Sequence, residues 1–253
     1  VIIGGIKSIA RVTSKLVPFM ALLYVTTALI VIGANYEKLP YAVTAIITQA
    51  FSPEGVTGGV IAVLVLGFRR AAFSNEAGIG SSSVAHAAVK TKEPLTQGFV
   101  AMLEPFIDTV VVCTITALVI TVTVFEPSMV NDGNISGVEL TSSAFASVIP
   151  WFPYILAVVI MLFAYSTMIS WSYYGLEGFI YIFGSSKAAK LTFNMIFCFF
   201  IVVGCTTQLT SVLDFSDAMI FAMALANVAA LYVLGPGVKR DLDVYWQRIS
   251  EKR

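Results

Sequence analysis

The residues best suited to chemistry in this chain fall in one run, Arg69-Arg70-Ala-Ala-Phe73-Ser74-Asn75-Glu76-Ala-Gly78-Ile79-Gly80, followed directly by Ser81, Ser82 and Ser83. The run interrupts a stretch, roughly 56–88, that is otherwise apolar enough to lie in a membrane. Two glycines with Ser, Asn and Glu in a few residues make a poor helix former. Backbone left unpaired at membrane depth is tolerated only where protein or a water-filled cavity satisfies it. The run therefore predicts a helix broken in mid-span, its second half starting near Ser81 with three serines available to cap exposed N–H groups. At such a break, freed N–H groups and the half-helix dipole can hold a carboxylate while freed carbonyls hold a cation. A loop between two short re-entrant helices, with no ligand, fits the same pattern. Gly78 and Gly80 would let backbone approach a ligand closely.

Other polar residues are scattered through apolar segments. Glu104 and Asp108 stand at i,i+4 on one helical face, where like charges raise one another's pKa; packing or gating is favoured over a proton relay. His86, the sole histidine, is expected as a hydrogen-bonded packing residue on the short half-helix. Ser166, Thr167 and Ser170 lie in one apolar segment, and hydroxyls so placed ordinarily bond back to their own helix carbonyls. Cys113, Cys198 and Cys205 read as small packing residues and imply no disulfide framework. A lone histidine and scattered cysteines give neither a metal cluster nor a nucleophile beside a base, which argues against an enzyme. A channel filter would need a ring-forming motif, so a channel or receptor is also disfavoured.

The elements that must position these residues are helices in lipid. The chain is 58% hydrophobic and 12% charged, about half the charged share of a soluble domain. Six long apolar stretches, at roughly 16–34, 56–88, 95–124, 152–183, 191–212 and 216–235, approach the ~20 residues of a spanning helix. None alternates as a barrel strand would. Pro18 falls in the expected first turn of the first span. Residues 41–51 and 141–151 read as short interfacial helices, the former ending at a Ser52-Pro53-Glu54-Gly55 turn. Lys7, Arg11, Lys15, Lys90, Lys92, Lys187, Lys190 and the basic residues after 236 lie in alternate loops, whereas Glu37, Glu54, Glu126, Asp132, Glu139, Asp214 and Asp217 lie in the others. By the positive-inside rule both ends are cytoplasmic, with 236–253 a cytoplasmic tail, and six spans satisfy that. Zero net charge offers no nucleic-acid surface. Asn134-Ile-Ser136 matches a glycosylation acceptor on the outer side. The chain starts at Val1 without an initiator methionine or signal peptide, and is expected to be a fragment.

The run Gly67-Phe-Arg-Arg-Ala-Ala-Phe-Ser-Asn-Glu-Ala-Gly-Ile-Gly-Ser-Ser, with Ala85-His-Ala, Gln97-Gly, Phe106-Ile-Asp-Thr109 and Cys113-Thr-Ile-Thr-Ala117, resembles the alanine/glycine:cation symporter family. Phe163-Ala-Tyr-Ser-Thr-Met-Ile-Ser-Trp-Ser-Tyr-Tyr-Gly175 resembles that family's other marker. The chain departs at Arg69-Arg70-Ala71, where the family often has Lys-Arg-Gly, and at Ser170, where it often has glycine.

The resemblance implies an all-α membrane protein with the five-plus-five inverted-repeat fold of the leucine-transporter type. This chain, 1–253, would hold core helices five to ten, the broken one being core helix six. It implies symport of alanine or glycine with a co-transported sodium ion across a prokaryotic plasma membrane by alternating access, with proton coupling as the alternative. An N-terminal part of the same transporter would complete the site, so this chain alone should not transport. The implied pocket wall is Phe73, Ser74, Asn75, Glu76, Gly78 and Ile79, with Trp171, four residues after Thr167 and on its face, limiting side-chain size. The implied sodium ligands are Ser166, Thr167 and the carbonyl of Phe163. Glu76 is expected to pair with Arg69 or Arg70 or to support the break, and the arginines to anchor or gate, since two cations beside one zwitterion would be excessive.

Overall fold

The computed structural model describes residues 2–50, 60–124 and 137–251, and every regular element among them is helical. In chain order these are α1 (Gly5–Ala34), α2 (Leu39–Ala50), α3 (Val60–Asn75), α4 (Ser81–Ala87), α5 (Pro94–Pro105), a π-helical segment (Phe106–Cys113), α6 (Thr114–Thr123), α7 (Gly137–Ala146), α8 (Phe152–Phe183), α9 (Lys187–Thr206) and α10 (Leu209–Ser250). The 52–55 turn, Glu126, Asp132 and the Asn134-Ile-Ser136 pattern lie outside the described residues.

Among the described residues, five helical stretches are long and apolar enough to cross a membrane: Ile2–Ala34, Pro94–Thr123, Phe152–Phe183, Lys187–Thr206 and Leu209–Ser250. The expected second span is α3 and α4, of 16 and 7 residues, separated at residues 76–80. Neither piece alone reaches the ~20 residues of a full crossing.

Several boundaries differ from the sequence expectation for identifiable reasons. Helix α1 starts at Gly5, so Pro18 lies inside it and not in a first turn. Hydropathy discounts Lys7, Arg11 and Lys15, although lysine and arginine are good helix formers. The second short helix, expected over 141–151, is Gly137–Ala146; it starts earlier, and it stops earlier because the residue preceding Pro150 is steered out of the helical region. The stretch from residue 236, expected as a tail, continues α10 as helix to Ser250 with Pro236 inside it. There Arg248 Nη1 meets Glu93 Oε1 at 2.5 Å, and the Phe99 ring stands 6.0 and 6.4 Å from those of Tyr245 and Trp246.

The chain divides into two compact units. The first comprises Val1–Leu66 and Thr109–Tyr173, the second Gly67–Asp108 and Tyr174–Arg253. The core of the first is apolar and closed: Ala28, Val31, Val119, Ala144, Phe145 and Leu156 pack together, with the Phe145 and Phe152 rings 4.9 Å apart. In the second, α8 and α9 pack through aromatic rings. A Cβ at Gly175 would stand 2.7 Å from Phe193 Cζ, so glycine there permits the approach. Along α10 the buried residues are Asp217 and Ile220, while leucines and valines face outward, the distribution a lipid-embedded helix requires.

Candidate functional site

Helix α3 ends at Asn75, and the next five residues hold three left-handed backbones: Glu76 at φ 56°, Gly78 at 82° and Gly80 at 94°. Glycine adopts this region freely, whereas at Glu76 it carries a strain of roughly 1–3 kcal/mol that the surroundings must sustain. Local bonds hold the break. Asn75 Oδ1 accepts the Ala77 N–H at 3.0 Å, and Ser81 Oγ donates to Glu76 Oε2 at 2.5 Å. Glu76 thus supports the break, one of its two expected roles. The serines are not N-caps. Gly80 occupies that position without a side-chain bond, and Ser83 donates instead to the Gly80 carbonyl at 2.6 Å. Before the break, the Ser74 hydroxyl bonds to Asp108 Oδ2, and Phe73, 41% exposed, lies with its ring centroid 6.0 Å from the Arg70 guanidinium carbon. Ile79 is buried.

Both arginines converge on Asp217 of α10. Arg69 reaches its Oδ2 through Nε at 3.1 Å and Nη2 at 2.5 Å, and Arg70 through Nη2 at 2.5 Å. Asp214 stands 3.7 Å from Arg69. Asp217 is buried, with 5% of its side chain exposed. The sequence groups it with the outer-loop acids because it stands at the very edge of the last apolar stretch, 216–235; the usable signal is that two arginines inside an apolar stretch require an anion nearby. Asn227, two to three turns further along α10, was also missed, and its Nδ2 donates to the Gly78 carbonyl at 2.9 Å.

Glu104 and Asp108 do not act as one acid pair. Pro105 lacks an N–H, and the helix widens to π geometry from Phe106, which alters the angular relation that i,i+4 spacing would give. Asp108 serves Ser74, while Glu104 Oε2 stands 3.8 Å from His86 Nε2. His86 is hydrogen-bonded as expected, its Nδ1 lying 2.6 Å from Gln97 Nε2. It borders a cavity of about 530 Å³ together with Ser82, Ser83, Thr91 and Gln97. Phe73 to Ile79 do not line this cavity.

The remaining candidates stand on α8 in the first unit. Ser166 is buried and donates to the Phe163 carbonyl at 2.8 Å; Ser170 donates to the Ser166 carbonyl at 2.9 Å. Two of the three implied cation ligands are therefore already joined. A hydroxyl whose hydrogen is bound to its own helix still presents oxygen lone pairs, so this contact orients Ser166 without removing it as a ligand. Thr167, about 100° around the helix, is exposed, and Trp171 is partly buried.

The model of the sodium:alanine symporter family matches residues 1–253. An uncharacterized transporter of Haemophilus influenzae is 36% identical over 99% of this chain and 55% of its own length. The sodium/alanine symporter AgcS of Methanococcus maripaludis is 37% identical over 97% of the chain and 54% of its own. The amino-acid carrier protein AlsT of Bacillus subtilis is 33% identical over 92% and 49%. The chain thus spans about half the length of the curated relatives it matches. With a helix broken among glycines between apolar spans and a match along its whole length, the chain belongs to the sodium:alanine symporter family.

Proposed function

We propose that the transporter carrying this chain moves a small neutral amino acid, alanine or glycine, with sodium across the plasma membrane by alternating access, and that this chain forms the second half of a five-plus-five inverted repeat. The observation that carries the reading is the break at residues 76–80, built on three left-handed residues and held by side chains from several elements within a family match covering the whole chain. The substrate's carboxylate would lie against backbone at Gly78 and Ile79, with Phe73, Ser74, Asn75 and Glu76 beside it. Sodium is cargo, and its proposed ligands in this half are Ser166, Thr167 and the Phe163 carbonyl, neutral oxygens suited to a hard cation. Trp171 would bound the space for the side chain. The ends of the segment would face the cytoplasm.

The energetics favour a cation partner. A neutral zwitterion gains nothing from the membrane potential, whereas one sodium ion contributes about 2.3 kcal/mol per 100 mV. A tenfold gradient adds about 1.4 kcal/mol, and together they support roughly 500-fold accumulation. The test is alanine uptake by the full-length transporter in proteoliposomes, with sodium replaced at fixed pH. Uptake is expected to collapse without sodium. Ser166→Ala with Thr167→Ala is expected to raise the sodium needed for half-maximal uptake while alanine binding recovers at high sodium, and Trp171→Ala to favour bulkier amino acids relative to alanine. Full uptake without sodium would overturn sodium coupling. Proton coupling is the second reading, favoured by the His86–Glu104 approach of 3.8 Å beside the cavity; uptake that follows pH and ignores sodium would establish it.

A further inference from the structure

Helix α10, which the sequence marks only as a plain apolar span, grips the broken helix at two points, one ahead of the proposed substrate segment and one within it. Ahead of the segment, Asp217 takes Arg69 and Arg70 on a single buried carboxylate oxygen at 2.5 Å from each guanidinium. Within it, Asn227 Nδ2 bonds the Gly78 carbonyl at 2.9 Å. The same side chain fills the space beside Gly80, where a Cβ would stand 3.0 Å from its Oδ1 and 3.2 Å from its Cβ.

The Gly78 carbonyl and the Ile79 N–H share one planar peptide and point in opposite directions. Whatever holds the carbonyl also aims the N–H. Locally that N–H is weakly held, 3.4 Å from the Glu76 carbonyl, and glycine at φ 82° offers little resistance to rotation of the peptide. The bond from Asn227 is the long-range contact that selects one orientation. We propose that Asn227, with Asp217 as the anchor behind it, is a positioning residue of the substrate site: it fixes the Gly78–Ile79 peptide in one orientation, so that the substrate carboxylate meets an N–H of set direction and takes it over from the long bond to the Glu76 carbonyl. This rests on the substrate reading above and names what sets affinity at that site.

The experiment uses the full-length transporter with every native cysteine, Cys113, Cys198 and Cys205 among them, replaced by alanine and a single cysteine placed at Ala77. It has two readouts, the half-saturating alanine concentration with the maximal rate, and the alkylation rate of residue 77. Removing one hydrogen bond of ordinary worth predicts that Asn227→Ala raises the half-saturating concentration roughly five- to tenfold with little change in maximal rate. Alkylation at 77 should accelerate several-fold. Asn227→Asp keeps the bulk beside Gly80 but presents an acceptor to a carbonyl, and is expected to show both changes; Asn227→Gln, which keeps the donor, should recover part of the affinity. Wild-type half-saturation and alkylation in a folded Asn227→Asp protein would overturn the proposal. Absence of sodium-dependent alanine uptake in the parent protein would instead overturn the substrate reading, and the alkylation rates would still decide whether Asn227 holds the break.

Discussion

The two units of the chain both bond hydroxyls back to nearby carbonyls, but they differ in the polar contacts that reach beyond one helix. In the first, Thr27, Thr123, Ser166, Ser170 and Ser172 each donate to a carbonyl three or four residues back in the same helix. What joins those helices is chiefly apolar packing around Phe145 and Leu156, with the Tyr24 to Thr116 hydroxyl contact at 2.6 Å as an exception. In the second, Arg69, Arg70 and Asn227 reach partners about 150 positions away, and Ser74 and His86 also bond to other elements. A hydroxyl bonded to its own helix makes no demand on the rest of the fold. An arginine that must find an aspartate does, because a charge left alone at membrane depth is costly. The first unit is specified by shape and the second by pairing.

That contrast can be broken experimentally, beginning where the effect should be largest. Asp217→Ala leaves two guanidinium groups without their shared carboxylate and is expected to lower stability by about 3–4 kcal/mol, the lower part of the cost of breaking a buried pair because Arg69 keeps Asp214 at 3.7 Å, read as thermal unfolding in detergent. Replacing Asp217, Arg69 and Arg70 together by leucine should restore most of that loss; failure to do so would mean that charge compensation is not what holds the second unit. In the first unit, Leu156→Ala is expected to cost about 3 kcal/mol through the cavity it leaves. Leu156→Met, which conserves volume, should cost less than about 1.5 kcal/mol. Neither should shift the half-saturating alanine concentration. The smallest effect sharpens the exception: Tyr24→Phe removes one hydroxyl, and because Thr116 also donates to the Val112 carbonyl at 2.8 Å, the loss should be about 0.5–1 kcal/mol in the same unfolding assay.

The legibility of the sequence followed the same division. Hydropathy located the spans, and the glycines at 78 and 80 located the break, because both are local properties of composition and backbone freedom. Glu76's support of the break was one of the expected roles, since Ser81 is only five residues away. Asp217 and Asn227 escape the sequence because their meaning depends on α10 reaching the arginines of α3 and the break at Gly78, a relation that no periodicity encodes. The π segment was hidden too: it follows Pro105, but a proline alone does not say whether a helix kinks, ends or widens. Residue type alone suggests caps at the serines after Gly80, whereas Ser81 and Ser83 act as donors.

The length of α10 gives the clasp at Asp217 a mechanical consequence. Its 42 residues make a rod of roughly 63 Å, about twice the thickness of a hydrocarbon core of ~30 Å. From Asp217 to Arg248 the rod runs roughly 46 Å, and near its far end Arg248 is fastened to Glu93, at the start of α5. If the Asp217 end is the fulcrum and α10 stays straight through Gly235-Pro236-Gly237, a tilt of about 5° sweeps Arg248 through roughly 4 Å over that length. That is enough to part a contact of 2.5 Å, unless α5 travels with it. A small rotation where the arginines are held would therefore arrive at the other end of the rod as a displacement the size of a side-chain contact.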